Sequence, residues 1–348
     1  MSLYAMDRAR LGELYEALGA LGRVYLPTRK NGASAFLPYG EEGSEADLSL
    51  LLCDKSPKDL FFPQSEELVK FRLTGAEIAL QEAARQKEPF VLFGVKACDL
   101  QAIEVLDRVF LADPVDSFYQ SRREHATVVA LACARPAESC FCTAFGIDPT
   151  SPQGPCDAVA WLTESALYLR PCTEKGETIV SCFAGFAPAD EKEVAAQQAA
   201  ARAVLGRLPY GQLDLSRFGE ASDELALFDH PAWEELSAHC LGCGSCTFSC
   251  PTCQCYDIRD YDTGKGVLRF RCWDSCMYKD FTMMAHGTPR KTQKERFRQR
   301  FLHKLVYYPK NNGGLFSCVG CGRCVKKCPA NLHMIRVAKA LGGEPRAQ

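Results

Sequence analysis

Two runs of four cysteines in the last third of the chain share the spacing C-x2-C-x2-C-x3-C, and a proline follows each run. Thiolates are the ligands of iron-sulfur clusters, and this pattern is typical of proteins that hold two 4Fe-4S clusters. Three cysteines of a run bind one cluster in such proteins, and the fourth binds the other. We therefore predict two ligand sets, a first thiol set (Cys240, Cys243, Cys246 and Cys328) and a second thiol set (Cys318, Cys321, Cys324 and Cys250). Zinc, the alternative, favours two separated C-x2-C pairs over a continuous run.

Four further cysteines, the N-terminal thiol set, follow two predicted strands. Cys98 comes after "PFVLFGVKA", Cys133 comes after "ATVVALA", and Cys140 and Cys142 follow a short loop later. If both strands are parallel, their carboxyl ends meet at one edge of the sheet, where α/β proteins bind ligands. These thiols could then hold a third iron-sulfur cluster. The alternative is that they are small buried hydrophobic residues, as free cysteines often are.

A last group of cysteines, Cys253, Cys255, Cys272 and Cys276, lies close to the first run in the sequence. We expect these residues to pack around the clusters, and extra ligation is the alternative. No catalytic residue is predicted, because none of the six histidines has metal-ligand spacing with another.

The elements that must position these thiols indicate an α+β fold. Short apolar runs between residues 23 and 186 read as strands of an N-terminal α/β domain, with "PFVLFGV" buried in a parallel sheet. We predict helices over 76–86, with a capping box at Thr74 and Glu77, and also over 190–208 and 231–239. The predicted domains are an α/β domain (1–187), a helical linker (188–238) and a two-cluster ferredoxin-like domain (239–348) with a long insertion (251–317).

A basic amphipathic helix is predicted within the insertion, in "PRKTQKERFRQRFLHKLVYYP". Phe297, Phe301 and Leu305 recur at four-residue steps, and seven cationic side chains, including Arg300 and Lys304, lie between and before them. We expect a solvated charged face over an apolar stripe, with a docking surface for an acidic partner as the alternative.

Composition excludes several classes of protein. Lys+Arg 41 against Asp+Glu 43 gives a net charge of -2, which offers no general attraction to nucleic acid or anionic lipid. The chain has 20 cysteines in 348 residues, and it is far longer than the small secreted domains that depend on disulfides. No signal-peptide pattern or apolar run of about 20 residues is present. We expect a cytoplasmic protein with reduced thiols and no membrane or nucleic-acid partner.

No motif for a nucleotide or a flavin occurs in the sequence. G-x-G-x-x-G does not follow any predicted strand, and neither G-x-x-x-x-G-K-[ST] nor G-x-S-x-G is present. Two clusters without a substrate motif favour an electron-transfer subunit over an enzyme. An enzyme that uses a third cluster in the N-terminal domain, and a cluster-based sensor, are the alternatives.

The chain resembles a family formed by the iron-sulfur A subunit of anaerobic sulfite reductase and the β subunit of cytosolic sulfhydrogenases. The resemblance runs along nearly the whole chain, through "GVKACDL", "DPVDSFYQSRRE", "ESCFCTAFG", "CPTCQCYDIRD", "WDSCMYKDF", "FLHKLVYYP" and "CVGCGRC". It implies that both C-terminal thiol sets bind clusters, and it favours a metal site at the N-terminal thiol set. It also implies electron transfer from a flavin subunit that oxidises NAD(P)H to a separate catalytic subunit of sulfite reductase, hydrogenase or heterodisulfide-reductase type.

Overall fold

Helices and strands alternate along the computed structural model, which describes residues 2–75 and 77–342. The strands are β1 (Tyr4–Asp7), β2 (Arg23–Lys30), β3 (Ala33–Pro38), β4 (Glu45–Ala46), β5 (Ser65–Thr74), β6 (Glu77–Glu82), β7 (Phe90–Val95), β8 (Ala126–Leu131), β9 (Ala158–Leu162), β10 (Ala166–Pro171), β11 (Ala187–Pro188), β12 (Tyr256–Asp262) and β13 (Gly266–Trp273). This content of helix and strand confirms the predicted α+β class.

The α-helices are α1 (Leu11–Leu18), α2 (Lys58–Phe61), α3 (Ala97–Phe110), α4 (Ser117–His125), α5 (Glu174–Ser181), α6 (Lys192–Leu205), α7 (Glu224–Phe228), α8 (Ala232–Ala238), α9 (Ser245–Phe248), α10 (Gln293–Leu302), α11 (Tyr308–Asn311), α12 (Arg323–Lys327) and α13 (Met334–Ala340). A π-helical segment, His303–Tyr307, continues α10. Within the described ranges, no helix combines the length and the apolar character that crossing a bilayer requires.

The larger sheet has the strand order β11-β1-β10-β9-β8-β7-β2-β3, with β4 beside β2. Its centre is parallel, since β7 pairs in parallel with both β2 and β8, and β8 pairs in parallel with β9. All six residues of β7 are buried, which confirms the predicted strand. The carboxyl ends of β7 and β8 therefore meet at one edge of the sheet, the edge at which α3 begins.

The smaller sheet, in the order β12-β13-β5-β6, joins strands that are distant in the sequence. Strand β13 of the insertion pairs with β5, so β5 and β6 form one sheet with β12 and β13. The predicted helix over 76–86 is wrong, because residues 77–82 form a strand that pairs with β5. Alanine and glutamate favour helices, but the hairpin after Gly75, at φ 64°, overrides that preference. The capping box at Thr74 involves a side chain outside the described part. The predicted domain division stays a prediction.

A buried guanidinium fastens this sheet to the rest of the fold. Nε of Arg271, on β13, donates a hydrogen bond to Oε2 of Glu66 at 2.7 Å, and the same guanidinium contacts Asp116 at the start of α4. Arg122 of α4 also pairs with Glu66. The side chains of Glu66 and Arg271 are only 5% and 4% exposed. Two carboxylates and two guanidinium groups thus neutralise one another in the interior.

The other predicted helices are present. The helices expected over 190–208 and 231–239 are α6 and α8, and the basic helix is α10 with its π-helical continuation. The apolar stripe is also confirmed, since Phe297, Phe301 and Leu305 are buried. The expectation of a solvated charged face is wrong for Arg300 and Lys304, because each of these residues is only 2% exposed.

Replacing Glu66 with alanine is expected to destabilise the fold by about 3–5 kcal/mol, because both guanidinium groups would lose a buried partner. Glu67→Ala is the matched control, since Glu67 is the next residue of β5 and its side chain is 49% exposed. Such a surface change is expected to stay within about 0.5 kcal/mol. Anaerobic urea unfolding measures both effects. Equal unfolding midpoints for the two variants would contradict the role assigned to Glu66.

Candidate metal centres

The two cysteine runs adopt the same local structure. The glycine that directly follows the second cysteine of each run has a left-handed backbone, with φ 73° at Gly244 and φ 81° at Gly322. Each of these glycines is the N-cap residue of a short helix, α9 or α12. The third cysteine of each run, Cys246 or Cys324, is therefore the second residue of its helix. A residue with a side chain is disfavoured at such backbone angles, so the glycines allow the chain to turn back toward its own thiols.

All four thiols of the first set line one pocket. Cys328 reaches this pocket from the other run, which is the placement that the predicted exchange of fourth cysteines requires, and ligation itself stays a prediction. The rest of the lining is mainly apolar and includes Met277, Phe297 and Phe301. Cys243 is exposed, so the pocket lies close to the protein surface on that side.

The thiols of the second set also come together. Burial raises the pKa of Cys318, and Cys324 and Cys250 raise it further by their proximity. Burial is again the largest cause for Cys321, whose pKa rises to about 12, with Cys250 among its charged neighbours. Thiols in such surroundings hold their protons unless a cation replaces them, and iron is such a cation. The donor set and its burial fit an iron-sulfur cluster.

The N-terminal thiol set gathers at the predicted sheet edge. Cys98 lies in the first turn of α3 after β7, and Cys133 lies just after β8. Cys98 and Cys142 are buried in the same small apolar cluster. Burial raises the pKa of Cys142, and Cys133 and Cys140 raise it further, which brings all four thiols into one neighbourhood.

Among the described residues, no three His, Cys, Asp or Glu side chains are close enough together to hold a single metal ion. A cubane bears one thiolate on each of four irons, so its ligands stand farther apart than those of a single ion. Ligation by the N-terminal thiol set stays a prediction.

The loop that carries Cys140 and Cys142 lies directly on the second cysteine run. The backbone N–H of Phe141 donates to the carbonyl oxygen of Gly320 at 2.9 Å. A Cβ atom on Gly320 would stand 2.4 Å from the carbonyl oxygen of Phe141, and one on Gly322 would stand 2.4 Å from that of Ser139. Cys321 packs in the same apolar cluster as Cys98 and Cys142. The N-terminal thiol set is thus adjacent to the second thiol set.

A buried ion pair reinforces this junction. Nη1 and Nη2 of Arg323 donate to the two carboxylate oxygens of Asp99 at 2.5 and 2.8 Å, and Nε donates to the carbonyl oxygen of Cys53 at 2.9 Å. The two charged side chains are 1% and 2% exposed. Asp99 follows Cys98 in the sequence, and Arg323 lies between Cys321 and Cys324. The pair therefore fixes the two thiol sets relative to each other.

Besides Arg323, sequence reasoning missed three buried cations beside the thiols, namely Arg300, Lys304 and Lys58. Burial alone would lower the pKa of Arg300, but Cys246 and Cys324 raise it, and the net pKa is above its ordinary value. The pKa of Lys304 is likewise raised by Cys250 and Cys253 against the effect of burial. Lys58 differs, since burial lowers its pKa. One signal was available in the sequence: Arg300 and Lys304 are one helical turn apart on the predicted helix, so they lie on the same face of it.

The remaining cysteines of the insertion form pairs close to the second set. The thiol of Cys253 hydrogen-bonds with that of Cys250, and the thiol of Cys255 with that of Cys276. The hydrogen bond from Cys276 lowers the pKa of Cys255 to about 7. Cys272 lies apart from these pairs, on β13 opposite Asp257. Packing around the clusters stays the prediction for this group.

Comparisons with known proteins add two findings. The model of a 4Fe-4S dicluster domain matches residues 239–332. Sulfhydrogenase 2 subunit beta from Pyrococcus furiosus is 31% identical over 332 residues, which cover 93% of this chain and 94% of that protein. The dicluster match implies two 4Fe-4S clusters and spans both cysteine runs.

Replacing Gly320 with alanine is expected to weaken the junction, because its Cβ would collide with the backbone of Phe141. Gly313→Ala is the control. Gly313 has φ 61° against 58° for Gly320, and a Cβ at Gly313 would meet nothing within 4 Å. Both variants carry the left-handed penalty of roughly 1–2 kcal/mol, and the collision adds about 1–3 kcal/mol to Gly320→Ala alone. Anaerobic thermal unfolding measures the difference. Equal midpoints would contradict a close contact here.

Proposed function

Because the chain belongs to the family of sulfhydrogenase 2 subunit beta and carries a 4Fe-4S dicluster domain, we propose that it relays single electrons between two partner subunits. One partner is a flavin subunit that oxidises NAD(P)H. The other is a catalytic redox subunit of hydrogenase, sulfite reductase or heterodisulfide-reductase type. The observation that carries the proposal is that the eight cysteines of the two runs lie in two groups. The fourth cysteine of each run lies with the first three of the other run.

The two dicluster ligand sets are Cys240, Cys243, Cys246 and Cys328, and Cys318, Cys321, Cys324 and Cys250. An iron-sulfur cluster, when bound, accepts and releases one electron at a time. The protein's own contribution is to hold thiolates on iron, to exclude water with the apolar lining of the first set, and to keep the sets close together. Arg300 stands near thiols of both sets, since Cys246 belongs to the first and Cys324 to the second.

A third iron-sulfur cluster on Cys98, Cys133, Cys140 and Cys142 is part of the proposal. Its support is the position of these thiols at the carboxyl edge of parallel strands, next to Cys321. The electron path then runs from the surface near the exposed Cys243, through the second thiol set, to the edge of the larger sheet. The ends of this path are where the two partner subunits dock.

The proposed location is the cytoplasm. All 20 cysteines lie in the described part of the chain and none of them forms a disulfide there, which suits a reducing compartment. Iron-bound thiolates also need protection from oxidation.

A second candidate function is that of an enzyme in its own right. The observation that favours it is the gathering of the N-terminal thiol set at the edge where α/β sheets bind ligands. A substrate would then bind against a third cluster there.

The third cluster is tested by counting iron per chain after anaerobic reconstitution. The double variant Cys140→Ser/Cys142→Ser is expected to lose about four irons from about twelve, since two of four ligands are gone. Cys182→Ser is the control, because the thiol of Cys182 donates to the carbonyl oxygen of Ile179 and belongs to none of the three sets. Unchanged iron in the double variant would remove the third site and with it the enzyme alternative.

The relay is tested in the native complex with Cys243→Ser, which removes a ligand of the first thiol set. Reduction of a dye by the flavin subunit is expected to continue, while electron delivery to the catalytic subunit is lost. Cys182→Ser, at a thiol that belongs to none of the three sets, is the control variant and is expected to preserve both activities. Full turnover of NAD(P)H with a small oxidant by the isolated chain would contradict the proposal, because a relay has no substrate site of its own.

A further inference from the structure

Two buried cations lie one helical turn apart at the C-terminal end of α10. Arg300 belongs to the helix, and Lys304 belongs to the π-helical segment that continues it. Each residue is 2% exposed. In residues 2–75 and 77–342, neither side chain forms an ion pair with a carboxylate. Lys294, on the same helix, differs because it pairs with Glu234. Single turns of π-helix often occur at functional sites.

Arg300 faces the first thiol set. Its side chain lines the pocket that the four thiols of this set share. Nη2 donates a hydrogen bond to the carbonyl oxygen of Cys246 at 3.3 Å. Nε and Nη1 are buried and have no hydrogen-bond partner among the described residues. A guanidinium group carries five N–H donors. The N–H groups on Nε and Nη1 can therefore donate to an acceptor bound in the pocket.

Lys304 faces the second thiol set. Its Nζ donates to Oγ1 of Thr252 at 2.7 Å and to the carbonyl oxygen of Ser317 at 3.1 Å. Oγ1 of Thr252 lies 3.2 Å from Sγ of Cys250, and Ser317 directly precedes Cys318. The ammonium group is thus held by the residues that adjoin two thiols of this set.

A buried cation without an anion is costly, since it has lost its hydration and gained no opposite charge. A 4Fe-4S cluster with four thiolates carries a net negative charge, and reduction adds one further negative charge. A nearby cation therefore favours the reduced form and raises the reduction potential. Hydrogen bonds to the sulfurs act in the same direction.

We propose that Arg300 is the counter-ion of the cluster on the first thiol set and Lys304 that of the cluster on the second, each raising the reduction potential of its own cluster. The inference deepens the proposed electron relay and depends on it. One helix and its π-helical continuation thereby raise both potentials, and each cation acts mainly on the cluster that it faces.

The test is an EPR-monitored redox titration of the full chain with both clusters loaded. Arg300→Gln is expected to lower the midpoint potential of the cluster on the first thiol set more than that of the cluster on the second, and Lys304→Gln is expected to do the reverse. Arg300→Lys and Lys304→Arg keep the charge and are expected to restore most of each shift. Arg298→Gln is the control on the same helix, because that guanidinium lies 3.4 Å over the ring of Phe228 and faces neither thiol set.

Full iron content with unshifted midpoints in both glutamine variants would overturn the proposal. Equal shifts of both clusters in each variant would overturn the one-to-one assignment. If a glutamine variant does not retain iron, the charge-keeping variants decide: wild-type midpoints support the proposal, and a lowered midpoint despite the retained charge overturns it. Failure of the electron relay itself is distinguishable, since it would appear as fewer than about eight irons in the unmodified chain.

Discussion

The buried ion pair between Arg323 and Asp99 is the constraint on which the arrangement of the thiols depends. Each partner is a neighbour of the proposed ligands, one on the second cysteine run and one at the start of α3. A bidentate pair fixes both distance and orientation, unlike a single hydrogen bond. Neither charge can remain buried without the other, because an unpaired ion in the interior costs several kcal/mol. The larger sheet and the dicluster domain are therefore held in one relative position.

The thiols and the cations Arg300 and Lys304 are buried in the same interior, and burial affects the charge of both. A buried thiol resists deprotonation, as the pKa of about 12 for Cys321 indicates. Arg300 and Lys304 in the same interior favour anions. In the described part of the chain no carboxylate pairs with either cation, and an anionic cluster whose irons take the place of the thiol protons would supply the missing negative charge. The interior is thus complementary to a charged inorganic group rather than to another side chain.

The sequence predicted those features that depend on local spacing. The placement of Cys328 in the pocket of the first cysteine run and the parallel strand β7 both follow from patterns within a few residues. The strand Glu77–Glu82 was mistaken for a helix because its stability comes from β5, and β5 is itself held by β13 nearly 200 residues later in the chain. The burial of Arg300 and Lys304 was missed for a related reason. Basic residues on an amphipathic helix normally face water, and only the folded position of the thiols explains why these two do not.

The shared smaller sheet determines the order in which this protein can fold during synthesis. Strand β5 has β6 on one side, but its other neighbour, β13, leaves the ribosome only after residue 273. Until then one edge of β5 is open, and an unpaired edge can associate with other nascent chains. Pairing of β13 with β5 also brings Glu66 and Arg271 together, so neither charge has this partner until β13 is in place. A chain that stops before the insertion would keep this edge of β5 unpaired. The N-terminal half can therefore avoid aggregation only when the cysteine-rich half is also synthesised.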